Sequence, residues 1–235
     1  MTGGLHAAGS AMASFATRHD VISNNLANVS TPGFAREDTF LVRKDTVDEK
    51  PFEAPAVHTR TSLEAGPPIL TENPLDLSLE GTGFFSLATD SGTRYVRSVS
   101  LRVDPEGFLR DAGGNAVLGE NGLLFVGTGE PSIEGDGTVL VDGEPLDRLA
   151  LVTFAHGDDV QRAPGGLYAA AEGRAPDPAM TRPMVHGGQV EGSGVQAIPE
   201  MVQMIEALRA YEACASAVRA NDTTLQRAVN DIARV

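Results

Sequence analysis

Apolar side chains recur at alternating intervals of three and four residues at both ends of this chain. Near the N-terminus the series is Leu5, Ala8, Met12, Phe15, His19, Ile22, Leu26 and Val29. Near the C-terminus it is Met201, Met204, Leu208, Tyr211, Ala215, Val218, Asp222, Leu225, Val229 and Ile232. A 3.5-residue repeat keeps one narrow stripe of a helix turned toward a partner helix, as in the a/d seam of a coiled coil. The pattern therefore predicts two long terminal helices that pair with one another. His19 and Asp222 are polar members of these stripes. They are read either as register-setting insertions or as points where the seam reaches solvent.

The first helix is predicted over about residues 4–28. It contains Gly9, Ser10, Ser14, Ser23, Asn24 and Asn25, all mediocre helix formers, so it should order only when its stripe is covered. Thr31-Pro32-Gly33 then ends it, because proline disfavours helix for its predecessor and glycine permits a turn. Asn24, Asn25 and Asn28 crowd the helix end. They read either as contacts to a neighbouring subunit or as caps of a fraying terminus. The last helix is predicted from near Ile198, with Pro199 in its first turn and Glu200 complementing its dipole. Each large apolar group in a stripe is worth about 1.5–3 kcal/mol on full burial. Summed along a stripe, that is large beside a typical folding stability of about 5–15 kcal/mol.

Between the helices the period changes to two. Leu75-Asp76-Leu77-Ser78-Leu79 alternates as a half-buried strand should, Gly81-Thr82-Gly83 turns, and Phe84-Phe85-Ser86-Leu87 opens a second strand. Residues 101–109 read as a hairpin whose turn is Asp104-Pro105-Glu106-Gly107. Residues 138–141 and 149–154 read as core strands. Prolines at 51, 55, 67, 68 and 74 mark an extended connector with little regular structure. The expected fold is mixed α and β: terminal helices pairing as a coiled coil around a central β-rich domain. Its expected parts are residues 1–35 (helix and turn), 36–74 (connector), 75–190 (β domain) and 191–235 (C-terminal coiled-coil helix).

Charge sharpens this division. The net charge is −14, yet residues 1–35 sum to zero and residues 195–235 to −1, so the middle carries −13. Nearly neutral ends can crowd together, whereas a charged middle behaves as a solvated, self-repelling surface. No basic patch is present, which argues against nucleic acid as a partner. Cys214 is the single cysteine, so no intrachain disulfide or thiolate metal cluster is expected. The first cation is Arg18 and no apolar run approaches ~20 residues, so neither a cleaved signal nor membrane insertion is expected.

Candidate chemistry is sparse. His156-Gly157-Asp158-Asp159 is weakly like a metal or acid/base cluster but reads better as a solvated turn. Gly81-x-Gly83 lacks the third glycine and the following helix of a dinucleotide site. The Asp104–Gly107 turn lacks the ligand spacing of a calcium loop. No nucleophile sits beside a base in a recognisable motif. No enzyme activity and no cofactor are expected. A binding module or enzyme built on the β domain is the distant alternative.

Three blocks carry a family resemblance. Asn24-Asn25-Leu26-Ala27-Asn28-Val29-Ser30-Thr31-Pro32-Gly33-Phe34 resembles the N-terminal signature of the bacterial flagellar rod and hook family. Residues 74–85 (PLDLSLEGTGFF) resemble the block that opens its β domain. Residues 191–195 (EGSGV) with 204–212 (MIEALRAYE) resemble its C-terminal signature. Departures occur at Ser98-Val99 after Tyr95-Val96-Arg97, at Gly194 and at Cys214, where other residues are frequent in the family. The short connector argues against a hook protein. Residues 114–122 and the overall length look most like a proximal rod subunit, with a distal one next.

The resemblance implies a structural subunit of the periplasmic rod, exported without a cleaved signal. Its partners would be copies of itself, other rod subunits and the flagellar type III export apparatus. The implied assembly interface comprises Leu5, Met12, Phe15, Ile22, Asn24, Asn25, Leu26, Asn28 and Val29. On the other helix it comprises Met201, Met204, Leu208, Tyr211, Val218, Leu225, Val229 and Ile232. In limited proteolysis of the isolated chain, both ends should be cut first while residues from about 70 to 185 resist. Uniform resistance along the chain would contradict this organisation.

Overall fold

The computed structural model describes residues 2–42, 56–178 and 183–232. The chain divides into two compact units, one of residues 1–27, 37–60 and 196–235, the other of residues 28–36 and 61–195. An N-terminal helix, a β-rich middle and a C-terminal helix thus follow one another as the periodicities indicate.

In the first unit, helix α1 spans Thr2–Ala27 and helix α2 spans Ala197–Ile232. At 1.5 Å per residue these are about 39 and 54 Å long. They pack against each other. Arg18 Nη2 lies 3.5 Å from Gln203 Oε1, and Phe15 shares a pocket with Leu208 and Tyr211. Earlier residues of α1 thus meet later residues of α2, and the two run antiparallel. With equal rise per residue, Thr2 falls opposite about residue 219, so the last turns of α2 extend past α1.

The span read as an extended connector also carries regular structure. Strands Glu37–Val42 and Ala56–Thr61 pair with each other. Phe40 stacks on His58 at 5.9 Å, and the Arg60 guanidinium lies 5.8 Å from the Phe40 ring. Thr39, Phe40 and Val57 face Ala11, Ser14 and Phe15 of α1 across a cavity of about 210 Å³. Pro51 and Pro55 lie outside the described residues.

The second unit is built on the strand Gly83–Thr89, which pairs with Gly92–Val96, Ala116–Gly119 and Leu151–Thr153, all antiparallel. Around it, ten strands form one sheet among the described residues. Alternate side chains of the central strand enter two different cores. Phe85 and Leu87 join Leu77, Val117, Val139 and Leu149 in one. Phe84 joins Tyr95, Phe154, Val160 and Tyr168 in the other. Phe84 meets Phe154 and Tyr168 edge-on at 5.4 and 5.8 Å, the geometry aromatic quadrupoles favour.

The hairpin expected over residues 101–109 is present as strands Arg102–Val103 and Leu109–Arg110, with Gly107 N donating to Asp104 O at 3.0 Å. Two local expectations change. Strand Asp76–Leu79 is buried throughout rather than half-buried, because it is central, with Ser98–Ser100 on one side and Val185–Gly187 on the other. Its polar members are satisfied: Asn73 Nδ2 donates to Asp76 Oδ1 and Gln189 Nε2 donates to Ser78 Oγ, both at 3.0 Å. The His156–Asp159 segment forms a short 3₁₀ turn that buries Asp159. The Asp159 carboxylate accepts from His156 N at 3.1 Å and pairs with Arg174 at 3.3 Å.

Phe84→Ala should lower stability by about 3–5 kcal/mol, since the ring is wholly buried between two aromatic neighbours. Leu70→Ala, at a side chain 80% exposed, should stay within about 0.5 kcal/mol. Denaturant titration of both variants distinguishes these outcomes.

Candidate functional site

The candidate interface residues fall on different faces of their helices. On α1, Ile22 and Asn25 are buried, Met12, Phe15 and Leu26 are half-buried, and Asn24 is exposed. Asn25 is bonded within its own unit: Nδ2 donates to Glu37 O at 2.9 Å while Oδ1 accepts from Glu37 N at 3.0 Å. This two-point bracket fixes the start of strand Glu37–Val42. Asn28 and Val29 are half-buried beyond the helix end, and Asn28 O accepts from Thr31 N at 3.0 Å to close the turn. His19 is half-buried 3.9 Å from Asp20, and Asp222 is exposed. The side chains of Leu5, Val229 and Ile232 lie outside the described set.

Helix α2 carries two faces. One is buried in the unit: Glu200 and Ala207 are 1% and 2% exposed, with Gln203, Met204, Cys214 and Val218 half-buried along the same stripe. A small residue such as Ala207 lets a second helix approach closely. The other face holds Ile198, Met201, Val202 and Ile205, between 49% and 76% exposed. At 100° per residue the two faces lie roughly 150° apart. The stripe read from the heptad runs between them. Met204 and Val218 lean inward, Leu208 and Tyr211 stand at the edge beside Phe15 of α1, and Met201 stands in solvent, as does Leu225 further along.

The second unit gathers the chain segments that lead into and out of the first. Gly33 N donates to Glu191 O at 2.7 Å, Gly194 N to Phe34 O at 2.9 Å and Ser62 N to Arg36 O at 2.7 Å. Gly33 has φ +67°, a conformation glycine adopts at little cost. Tyr168 OH accepts from Ala35 N at 2.7 Å and reaches Gly33 O at 3.4 Å. Burial pushes the Tyr168 phenol above its ordinary value, so it stays protonated and can donate at neutral pH. The Arg162 guanidinium lies 4.0 Å from the Phe34 ring, and its Nη2 donates to Ala35 O at 2.9 Å.

Sequence reasoning missed the centre of this junction. Arg97 is fully buried, and its Nε donates to both carboxylate oxygens of Glu191 at 2.8 and 3.0 Å. One signal was available. In Tyr95-Val96-Arg97-Ser98-Val99 the cation stands in an apolar stretch, and Tyr95, Val96 and Val99 are all buried. A cation on an inward face demands a buried partner.

The ends of the chain match two family models. Residues 5–34 match the flagella basal body rod protein family, and residues 186–231 match the C-terminal region of flagellar basal body rod FlgEFG proteins. The flagellar basal-body rod protein FlgF of Escherichia coli is 32% identical over 88% of this chain and 89% of its own length. FlgF of Caulobacter vibrioides is 30% identical over 83% and 84%. The rod protein FlgG of Bacillus subtilis is 27% identical over 96% and 97%. The chain belongs to the flagellar basal-body rod protein family.

The two family matches contain most of α1 with its turn and nearly all of α2. They also take in Gly33, Glu191 and Gly194, the glycines and the carboxylate of the junction, while Arg97 falls between them. Among the described residues no helix is long and apolar enough to cross a membrane. No group of three or more His, Cys, Asp or Glu among them is placed to hold a metal ion.

Tyr168→Phe leaves the buried Ala35 N–H without its acceptor and should cost about 1–3 kcal/mol. Equilibrium unfolding reads the loss. A variant as stable as the parent would show that the hydroxyl is not holding this segment.

Proposed function

We propose that this chain is a FlgF-like structural subunit of the flagellar basal-body rod, polymerising through its terminal helices. Family membership supplies the rod role. One observation carries the mode of assembly: α2 presents a second apolar face, Ile198, Met201, Val202 and Ile205, on the side away from the residues it buries within its own unit. Exposed apolar surface of this extent marks an interaction site in a soluble protein. Below Leu225 the helix also has no length of α1 beside it. Helical filaments arise when a face meets a different surface on the next copy and the contact does not close.

On this reading the two helices form a coiled-coil pair that lines the inner tube, and the charged β unit forms an outer layer. Neighbouring rod subunits and the flagellar export apparatus are the proposed partners. The poor intrinsic helix propensity of α1 suits a segment that passes through a narrow channel before it orders. A distal rod role is the second reading, favoured by the FlgG match over nearly the whole chain.

Two nearby substitutions separate folding from assembly. Ala207→Asp puts a charge into the buried face and should destabilise the subunit by about 2–5 kcal/mol. Ile205→Asp changes a side chain that is 52% exposed on the outer face, so the isolated subunit should lose about 1 kcal/mol or less. It should nevertheless abolish assembly and motility. Circular dichroism of the purified chain and basal bodies from the variant strain give the two readouts. Normal rods built from Ile205→Asp would refute the proposed interface.

A further inference from the structure

The Arg97–Glu191 pair does more than neutralise two charges. Arg97 Nη2 donates to Gly81 O at 2.7 Å, Nη1 to Leu63 O at 3.4 Å, and the guanidinium lies 5.5 Å from the Phe84 ring. Glu191 Oε1 accepts a second bond, from Gly66 N at 2.9 Å. The Glu191 backbone takes part too: its N donates to Ser98 Oγ at 3.0 Å and its O accepts from Gly33 N at 2.7 Å. Gly192 N donates to Pro67 O at 2.7 Å. A Cβ at Gly66 would lie 2.2 Å from Gly192 O, so these segments touch backbone to backbone.

Three stretches therefore converge on one buried ion pair: residues 31–36, 61–67 and 191–195. They are the stretches through which the chain passes between its two units. A buried ion pair adds little net stability, because desolvation offsets the attraction, but it tolerates almost no misplacement. Its charges are compensated only when the fork of Arg97 and both oxygens of Glu191 meet all their partners at once. We infer that Arg97 and Glu191 are positioning residues, a registry clasp that fixes the path of the three connecting segments. They set geometry rather than hold the β unit together. The clasp predicts that geometry and stability can be separated.

The test is amide hydrogen exchange on the full chain, with thermal unfolding in parallel. In Arg97→Lys the charge is kept but one ammonium cannot span Glu191, Leu63 O and Gly81 O together. The amides of Gly33, Gly66, Gly192 and Gly194 should then exchange roughly tenfold faster or more, while Leu87 and Val117 in the sheet stay protected. The double variant Arg97→Met/Glu191→Met removes both charges. It should melt at or above the parent temperature yet keep fast junction amides, and rods should fail to assemble from it. Slow junction amides in Arg97→Lys, or their recovery in the double variant, would overturn the clasp. If the double variant does not fold, the exchange pattern of Arg97→Lys decides alone. The exchange measurement uses the isolated chain and holds whether or not the rod reading does.

Discussion

Helix α2 carries more apolar circumference than a single partner helix covers. A face of about 100° is what one packed neighbour normally shields. The stripe through Glu200, Ala207 and Met204 is closed within the unit, and Ile198, Met201, Val202 and Ile205 look the other way. The bias is not a folding defect, because the inner face is already closed by small and polar residues that permit close approach. A helix with a private face and a public face is what a repeating assembly needs. The subunit completes one face by itself, and on the proposed reading a neighbour completes the other. Everything proposed for the helical unit depends on that asymmetry.

The β unit solves a different problem. Its cores are aromatic and aliphatic, and they need no charge to hold them. Nevertheless a guanidinium and a carboxylate sit deep within it, beside the segments that lead to the helices. Apolar packing would hold those segments as firmly, but apolar contacts are non-directional and accept small slips. Tyr168, Arg162 and Arg97 instead address individual backbone groups of Gly33, Ala35, Leu63 and Gly81. Directional bonds to main-chain atoms fix a path, whereas side-chain packing fixes only proximity. These bonds gather at the place where the chain crosses between units.

The sequence told much of this, within limits set by physics. Helix boundaries were legible because Thr31-Pro32-Gly33 and Pro199-Glu200 are local signals that act through the backbone of their own turn. The hairpin at Asp104–Gly107 was legible for the same reason. The inner face of α2 was not. A heptad count rewards large apolar residues, and the residues that α2 buries include a glutamate and an alanine. The stripe from Met201 to Val218 therefore caught Met204 and Val218 at the edge of the buried face but neither Glu200 nor Ala207. Asn25 was read as either an interface group or a cap, and its partner, the backbone of Glu37, is visible only once the next strand has folded back. Strand Asp76–Leu79 looked half-buried because alternation reports polarity, not how many neighbours a strand acquires. Arg97 needed a partner almost a hundred residues away, and no local pattern names one.

Long-range polar pairing and unequal helix faces share one property: each is meaningful only in the presence of something distant in sequence. For Arg97 the distant element lies in the same chain. For the outer face of α2 the proposed element lies in another copy. The energetics differ accordingly. A buried ion pair is nearly neutral in stability and demanding in geometry, so it suits a position that must be correct in every folded subunit. Apolar surface is undemanding in geometry and strongly favourable when covered, so it suits a contact formed once the subunit is already shaped. Exchanging these roles would fail in both places. A charged outer face would weaken the polymer contact, and a purely apolar junction would leave the connecting segments free to slide past one another.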